Sequence, residues 1–226
     1  MDIRFEDAAA SFEGRLAVAP VTLALTERRI GIIGLNGSGK TTFARMINGL
    51  VAPTQGRVRV NGADTVNDGN LVRSQVGFIF QNPQNQIILP ILREDIALGL
   101  KRRKMPAAAV DSAVTKILQR FGIEHLAERR AHELSGGELQ LAALASVLVT
   151  EPKVVILDEP TNQLDLRNRT LVQRTLNGLD EHLIVISHDL DLVADFDRVL
   201  VFHQGTLLKD ASPEDAIAAY REVAGQ

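Results

Sequence analysis

Cysteine is missing from all 226 residues, which excludes a disulfide framework and a thiolate zinc site. Also missing is any uninterrupted apolar run of about eighteen residues, the length an α-helical membrane span requires. The chain has no internal repeat, no low-complexity segment and no broad basic footprint for a phosphate backbone. Its net charge is −3, and the one cluster of cations, KRRK at 101–104, has the pattern of a solvated helix end or loop. Nucleic acid is therefore not an expected partner. The opening MDIRFEDAAASFEGR is acidic where a secretory leader would be basic and then apolar, so a cytoplasmic location is expected.

With 45% hydrophobic and 23% charged residues, the chain suits one large domain, or a main domain with a modest inserted lobe. Short β-branched runs alternate with helical patterns, as in an α/β domain with a largely parallel sheet. Strands are expected at 29–34, 76–80, 153–159, 182–187 and 198–202, and the first, third and fourth are nearly continuous apolar runs suited to burial on both faces. Before Gly62 the segments alternate or end in turn residues, which predicts an antiparallel sheet beside the main one, with a hairpin at Asn61-Gly62. From Asn82 to His132 helical spacing replaces strand patterns, so this stretch reads as an inserted helical lobe within a single domain spanning 1–226. A last helix should start after Ser212, with Pro213 at its first position, and end near Val223.

Three segments carry chemistry. Gly34-Leu35-Asn36-Gly37-Ser38-Gly39-Lys40-Thr41-Thr42 follows a strand and opens a helix, the setting in which converging backbone amides, a helix N-terminus and a lysine cradle phosphates. The Thr41 hydroxyl is placed to join a magnesium shell. VVILDEP puts Asp158 and Glu159 at the carboxyl end of a strand, where open α/β sheets bind ligands. Asp158 is expected to hold magnesium through water, and Glu159 to act as general base on the attacking water. In LSGGELQLAALASVL, Ser135 caps a helix and Gly136 and Gly137 bare its first amides, a second anion-binding element.

The order of the phosphate loop, Gln81, LSGGE, VVILDEP, NQLD and SHD resembles that of the ATP-binding cassette (ABC) ATPases along the whole chain. The resemblance implies a phosphate-loop NTPase core with an antiparallel β-subdomain and a helical subdomain. It also implies ATP and Mg2+ as cofactors and a head-to-tail pair of cassettes, of this chain or of this chain with a paralogue. In such a pair Ser135, Gly136, Gly137 and Glu138 cap the ATP held on the other subunit's loop. By the same resemblance Phe12 stacks on adenine, Gln81 meets magnesium and the attacking water, His188 contacts the γ-phosphate, and Asp165 belongs to a loop crossing the dimer interface. Asn162 and Gln163 depart from the small residues usual in that loop, and Leu141 and Ser146 replace arginines common in ordinary importer ATPases.

Hydrolysis must drive work in a partner. FQNPQNQ, the ASVL after the signature and the single-cassette length are similar to the energy-coupling-factor branch of the family, which imports vitamins and metal ions, and most of all to biotin uptake ATPases. That implies a membrane coupling protein and a substrate-capturing membrane protein as partners, with the chain peripheral on the cytoplasmic face. The apolar residues between Ile87 and Leu92 suit a groove for a membrane partner's helix, with Glu94 and Asp95 as acidic contacts. The alternatives are a conventional ABC importer or exporter, or a soluble ABC protein acting on ribosome or DNA.

Overall fold

A computed structural model describes residues 1–225. The chain opens with β1 (Ile3–Phe12), β2 (Arg15–Leu25) and β3 (Arg29–Gly34), then α1 (Lys40–Ile47), β4 (Gln55–Val60), β5 (Ala63–Asp64), α2 (Gly69–Gln75) and β6 (Val76–Ile79). Three longer helices follow: α3 (Leu92–Leu100), α4 (Ala107–Phe121) and α5 (Gly136–Leu148). The remainder is β7 (Val154–Asp158), α6 (Leu166–Asn177), β8 (His182–Ile186), α7 (Leu190–Val193), β9 (Arg198–His203), β10 (Thr206–Ala211) and α8 (Pro213–Ala224).

These elements form two compact units. The first comprises Met1–Phe78, Lys153–Glu159 and the chain from Glu181 onward; the second comprises Ile79–Pro152 and Pro160–Asp180. The second unit thus takes in α5 and α6 as well as the segment 82–132.

In the first unit the principal sheet has the order β10-β9-β3-β8-β7-β6. β3 lies parallel to both neighbours, with Ile32 opposite Ile186 on one side and Leu200 on the other. Its residues Ile30 to Gly34 are all buried, the result of covering both faces of a near-continuous apolar strand. A smaller antiparallel sheet has the order β2-β1-β4-β5. Asn61 (φ 49°) and Gly62 (φ 85°) make the two-residue turn from β4 to β5 in the left-handed region, as an Asn-Gly hairpin requires. Phe43 of α1 stacks on Phe5 at 4.3 Å and tilts against Phe202 at 4.9 Å, so the helix that follows the phosphate loop is fixed to both sheets. β10 is an antiparallel edge strand with mostly exposed residues, and its composition carried no strand signal. α2, α6 and α7 are likewise absent from the sequence reading.

The second unit is helical, with α3, α4 and α6 all packing on α5. Gly122 (φ 66°) ends α4 in a left-handed cap. Asp95 does not face outward as an acidic contact. It is buried, and its Oδ1 accepts hydrogen bonds from the amides of Ile88 (2.7 Å) and Leu89 (2.9 Å). A carboxylate spent on two backbone donors holds the preceding loop in shape and is not available to a partner's arginine. Glu94 remains exposed. Of the apolar stretch, Leu92 is core and Ile88 is 76% exposed.

Candidate functional site

The phosphate loop leaves β3 at Gly34 and enters α1 at Lys40. Two glycines are dictated by close backbone approach. A Cβ at Gly34 would stand 2.2 Å from the Phe202 carbonyl oxygen, and one at Gly39 (φ 98°) 2.4 Å from that of Ala17. Lys40 is buried, and its Nζ donates to the carbonyls of Gly34 and Leu35, both at 2.9 Å. Burial pushes its ammonium below the usual lysine range, while the charges of Glu159 and Asp158 oppose the shift. The lysine charge is thus parked on its own loop.

β7 ends at Asp158, paired with Ile186 of β8. Thr41 Oγ1 donates to Asp158 Oδ1 at 3.0 Å. Burial raises the Asp158 carboxyl above the ordinary aspartate range, against the Thr41 hydrogen bond and the charges of Arg45 and Lys40. The next residue, Glu159, has φ 53°, a left-handed conformation that costs a non-glycine residue about 1–2 kcal/mol. This turn gives the two adjacent carboxylates separate partners: Asp158 meets Thr41, while Glu159 Oε2 accepts from His188 Nδ1 at 2.7 Å and from the His188 amide at 3.3 Å. A proton on Nδ1 is required for that contact, which leaves Nε2 for another partner.

The first unit therefore brings together the phosphate loop, Thr41, Asp158, Glu159 and His188. Phe12, at the end of β1 in the same unit, is 50% exposed, as a stacking platform must be and a core residue is not. Ser38 Oγ is buried without a hydrogen-bond partner, a polar atom in the loop left unsatisfied by the protein itself. The described residues contain no cluster of three or more His, Cys, Asp or Glu side chains that could hold a metal. Thr41 and Asp158 suit a magnesium ion that takes its other ligands from phosphate and water.

Gln81, the signature and Asp165 belong to the second unit. Gln81 is exposed just past β6. Ser135 caps α5 in a reciprocal box: its Oγ accepts from the Glu138 amide at 3.4 Å, and Glu138 Oε2 accepts from the Ser135 amide at 2.8 Å and hydroxyl at 2.7 Å. Those Ser135 bonds hold the Glu138 carboxyl below its usual range. Asp165 caps α6, accepting from the Asn168 amide at 2.8 Å and side chain at 3.1 Å. Asn168, missed from sequence, also lies against the signature: a Cβ on Gly137 would fall 2.3 Å from its Oδ1. Its position three residues after an N-cap Asp was the available signal.

A family model described as ABC transporter matches residues 20–162, from before the phosphate loop to beyond Glu159. The chain belongs to the ABC transporter ATPase family. It is 63% identical over 224 residues to the biotin transport ATP-binding protein BioM of Rhizobium etli, covering 99% of this chain and 100% of that one. It is 39% identical over 189 residues to the energy-coupling factor transporter ATP-binding protein EcfA1 of Halalkalibacterium halodurans, covering 81% and 68% respectively. The solved structure of cbiO1 from Clostridium perfringens, described as part of the ABC transporter complex cbiONQ, superposes with a TM-score of 0.85 at 30% identity, covering 98% of this chain and 92% of that one. As an ABC ATPase the chain binds ATP and couples its hydrolysis to transport. Among the described residues no helix is long and apolar enough to cross a membrane.

Proposed function

We propose that this ABC ATPase energises an energy-coupling-factor-type importer of biotin, from the cytoplasmic face of a membrane, as one of two head-to-tail cassettes. The substrate rests on 63% identity to a biotin transport ATPase over essentially the full length of both chains. The chemistry rests on one observation: Glu159 is held by His188 at 2.7 Å next to a Thr41–Asp158 pair at 3.0 Å.

Lys40 exchanges the two loop carbonyls for the β- and γ-phosphates of ATP, which compensate its buried charge better than neutral oxygens do. Thr41 and Asp158 would hold Mg2+, which when bound would neutralise phosphate charge. Glu159 accepts the proton of a water that attacks the γ-phosphorus as the bond to the β–γ bridging oxygen breaks and ADP keeps the electron pair. His188 orients Glu159 by donating from Nδ1, and with a proton on Nε2 as well it also donates to a γ-phosphate oxygen. Phe12 stacks on the base. The amides at the N-terminus of α5, set by the Ser135 cap, close over ATP on the opposite cassette. Two chains thus contribute half-sites, and the membrane subunits convert their closure into substrate movement.

The test is purification of the tagged chain from membranes with its partners and reconstitution in vesicles. ATP-dependent accumulation of labelled biotin is expected, and its loss with Glu159→Gln. A reconstituted complex that hydrolyses ATP and accumulates a different vitamin or a metal ion, but no biotin, overturns the substrate assignment.

A further inference from the structure

Gly205, in the turn between β9 and β10, lies outside the motifs that define the nucleotide site, yet its peptide groups tie two parts of that site together. Its N–H donates to the Ser38 carbonyl of the phosphate loop at 3.0 Å, and its own carbonyl accepts from the Ala19 amide of β2 at 2.7 Å. β2 is the edge strand of the antiparallel sheet, and through the Phe12–Arg15 pairing it carries the hairpin that ends in Phe12. Gln204 (φ 47°) and Gly205 (φ 79°) form a two-residue left-handed turn, the form that matches the twist of a hairpin. That geometry is what turns both polar groups of Gly205 outward, one to the loop and one to the strand. No side chain fits between the three segments: a Cβ on Gly39 would meet Ala17 O at 2.4 Å and Gly205 Cα at 3.4 Å, and a Cβ on Gly205 would meet Ala17 O at 3.1 Å.

We propose that Gly205 is a positioning residue that sets the spacing between the base-stacking ring of Phe12 and the phosphate loop, so that both ends of ATP are held at once. The proposal rests on the assignment of Phe12 to the base. Backbone hydrogen bonds fix this spacing more tightly than side chains would, because no rotamer change relaxes them. Lengthening the link should leave phosphate binding intact and remove the extra affinity that the base confers.

Two variants lengthen it differently. Gly205→Ala keeps both hydrogen-bonding groups but pushes its methyl onto Ala17. Ala19→Pro deletes the N–H that reaches Gly205, at an edge strand where proline is tolerated. Gly62→Ala is the control, with φ +85° and open space around it, so it carries similar backbone strain in a turn remote from the loop. Binding of ATP and of inorganic tripolyphosphate to the full-length chain is measured by calorimetry, with thermal melting alongside. Stacking on one aromatic ring contributes roughly 5- to 150-fold. Phe12→Ala should reduce the ATP-to-tripolyphosphate affinity ratio by that order, and Gly205→Ala and Ala19→Pro should reduce it by at least about fivefold while tripolyphosphate affinity holds. Gly62→Ala should lower the melting temperature and leave the ratio unchanged. Native ratios in folded Ala19→Pro and Gly205→Ala, with Phe12→Ala reduced, overturn the role of Gly205 alone. A ratio kept in Phe12→Ala overturns the assignment of the ring and, with it, the spacing role of Gly205 that rests on that assignment.

Discussion

Exchanging Glu159 for glutamine separates nucleotide binding from chemistry. The amide has the shape of the carboxylate, and its Oε1 can still accept from His188 Nδ1 and from the His188 amide, the contacts now at 2.7 and 3.3 Å. What it loses is the capacity to take a proton. The His188 side chain is 58% exposed, so solvent screens the pair, and replacing a charged acceptor with a neutral one costs about 1 kcal/mol or less. For a chain of this size that corresponds to a melting temperature within about 4 °C of the native value. General-base assistance contributes roughly 10²- to 10⁴-fold, so phosphate release by the reconstituted transporter should fall by that factor. ATP then persists on the enzyme. At a concentration a hundredfold above Kd it stabilises the folded state by about 2.7 kcal/mol, or about 5–11 °C in melting temperature. Scanning calorimetry with and without Mg2+ and ATP reads the stabilisation, and phosphate release reads the turnover. Turnover within about threefold of native would remove Glu159 from the base role. Loss of the ATP-induced shift would show instead that the residue serves binding.

Lys40→Met should weaken ATP binding by at least about 10- to 150-fold, the value of one charge-assisted contact, as read by titration calorimetry. The nucleotide-free variant should melt no lower than native, because it removes an ammonium whose burial outweighs the two carbonyls and the charges of Glu159 and Asp158 that favour it; a clear drop would contradict the burial cost. Asp158→Asn should stabilise the nucleotide-free chain near neutral pH. The native Asp158 carboxyl lies above its unfolded value, so its contribution to stability is complete below the ordinary aspartate range and is lost as pH rises through the raised value. The melting difference between variant and native chain should therefore shrink as pH falls, and a difference that grew in acid would reverse the sign. Ser135→Ala removes the cap of α5 and should lower stability by about 1 kcal/mol, with a larger loss in ATPase activity than in ATP affinity. Equal losses in the two would argue against a signature acting on the opposite cassette's nucleotide.

Much of the site was legible because its determinants are local. The phosphate loop, the Ser135 cap and the Asn61-Gly62 turn each need only a few adjacent residues, whose conformations follow from glycine freedom, capping and the strand-to-helix change. Asp95 shows where local reasoning fails: an acidic residue after an apolar run looked available to a partner, whereas the fold spends it on the amides of Ile88 and Leu89. β10 was illegible because an edge strand need not bury apolar side chains, and Gly205 because its role lies in two backbone groups.

The sequence by itself determined the family, the phosphate-binding chemistry and the alternation of buried strands with helices, since these depend on residue type and short spacing. Only the tertiary structure decided that Thr41 would donate to Asp158, 117 positions away, and that His188 would hold Glu159, 29 positions away. Such pairings are set by the parallel register of β3, β7 and β8, and that register is fixed by the packing of side chains distant along the chain.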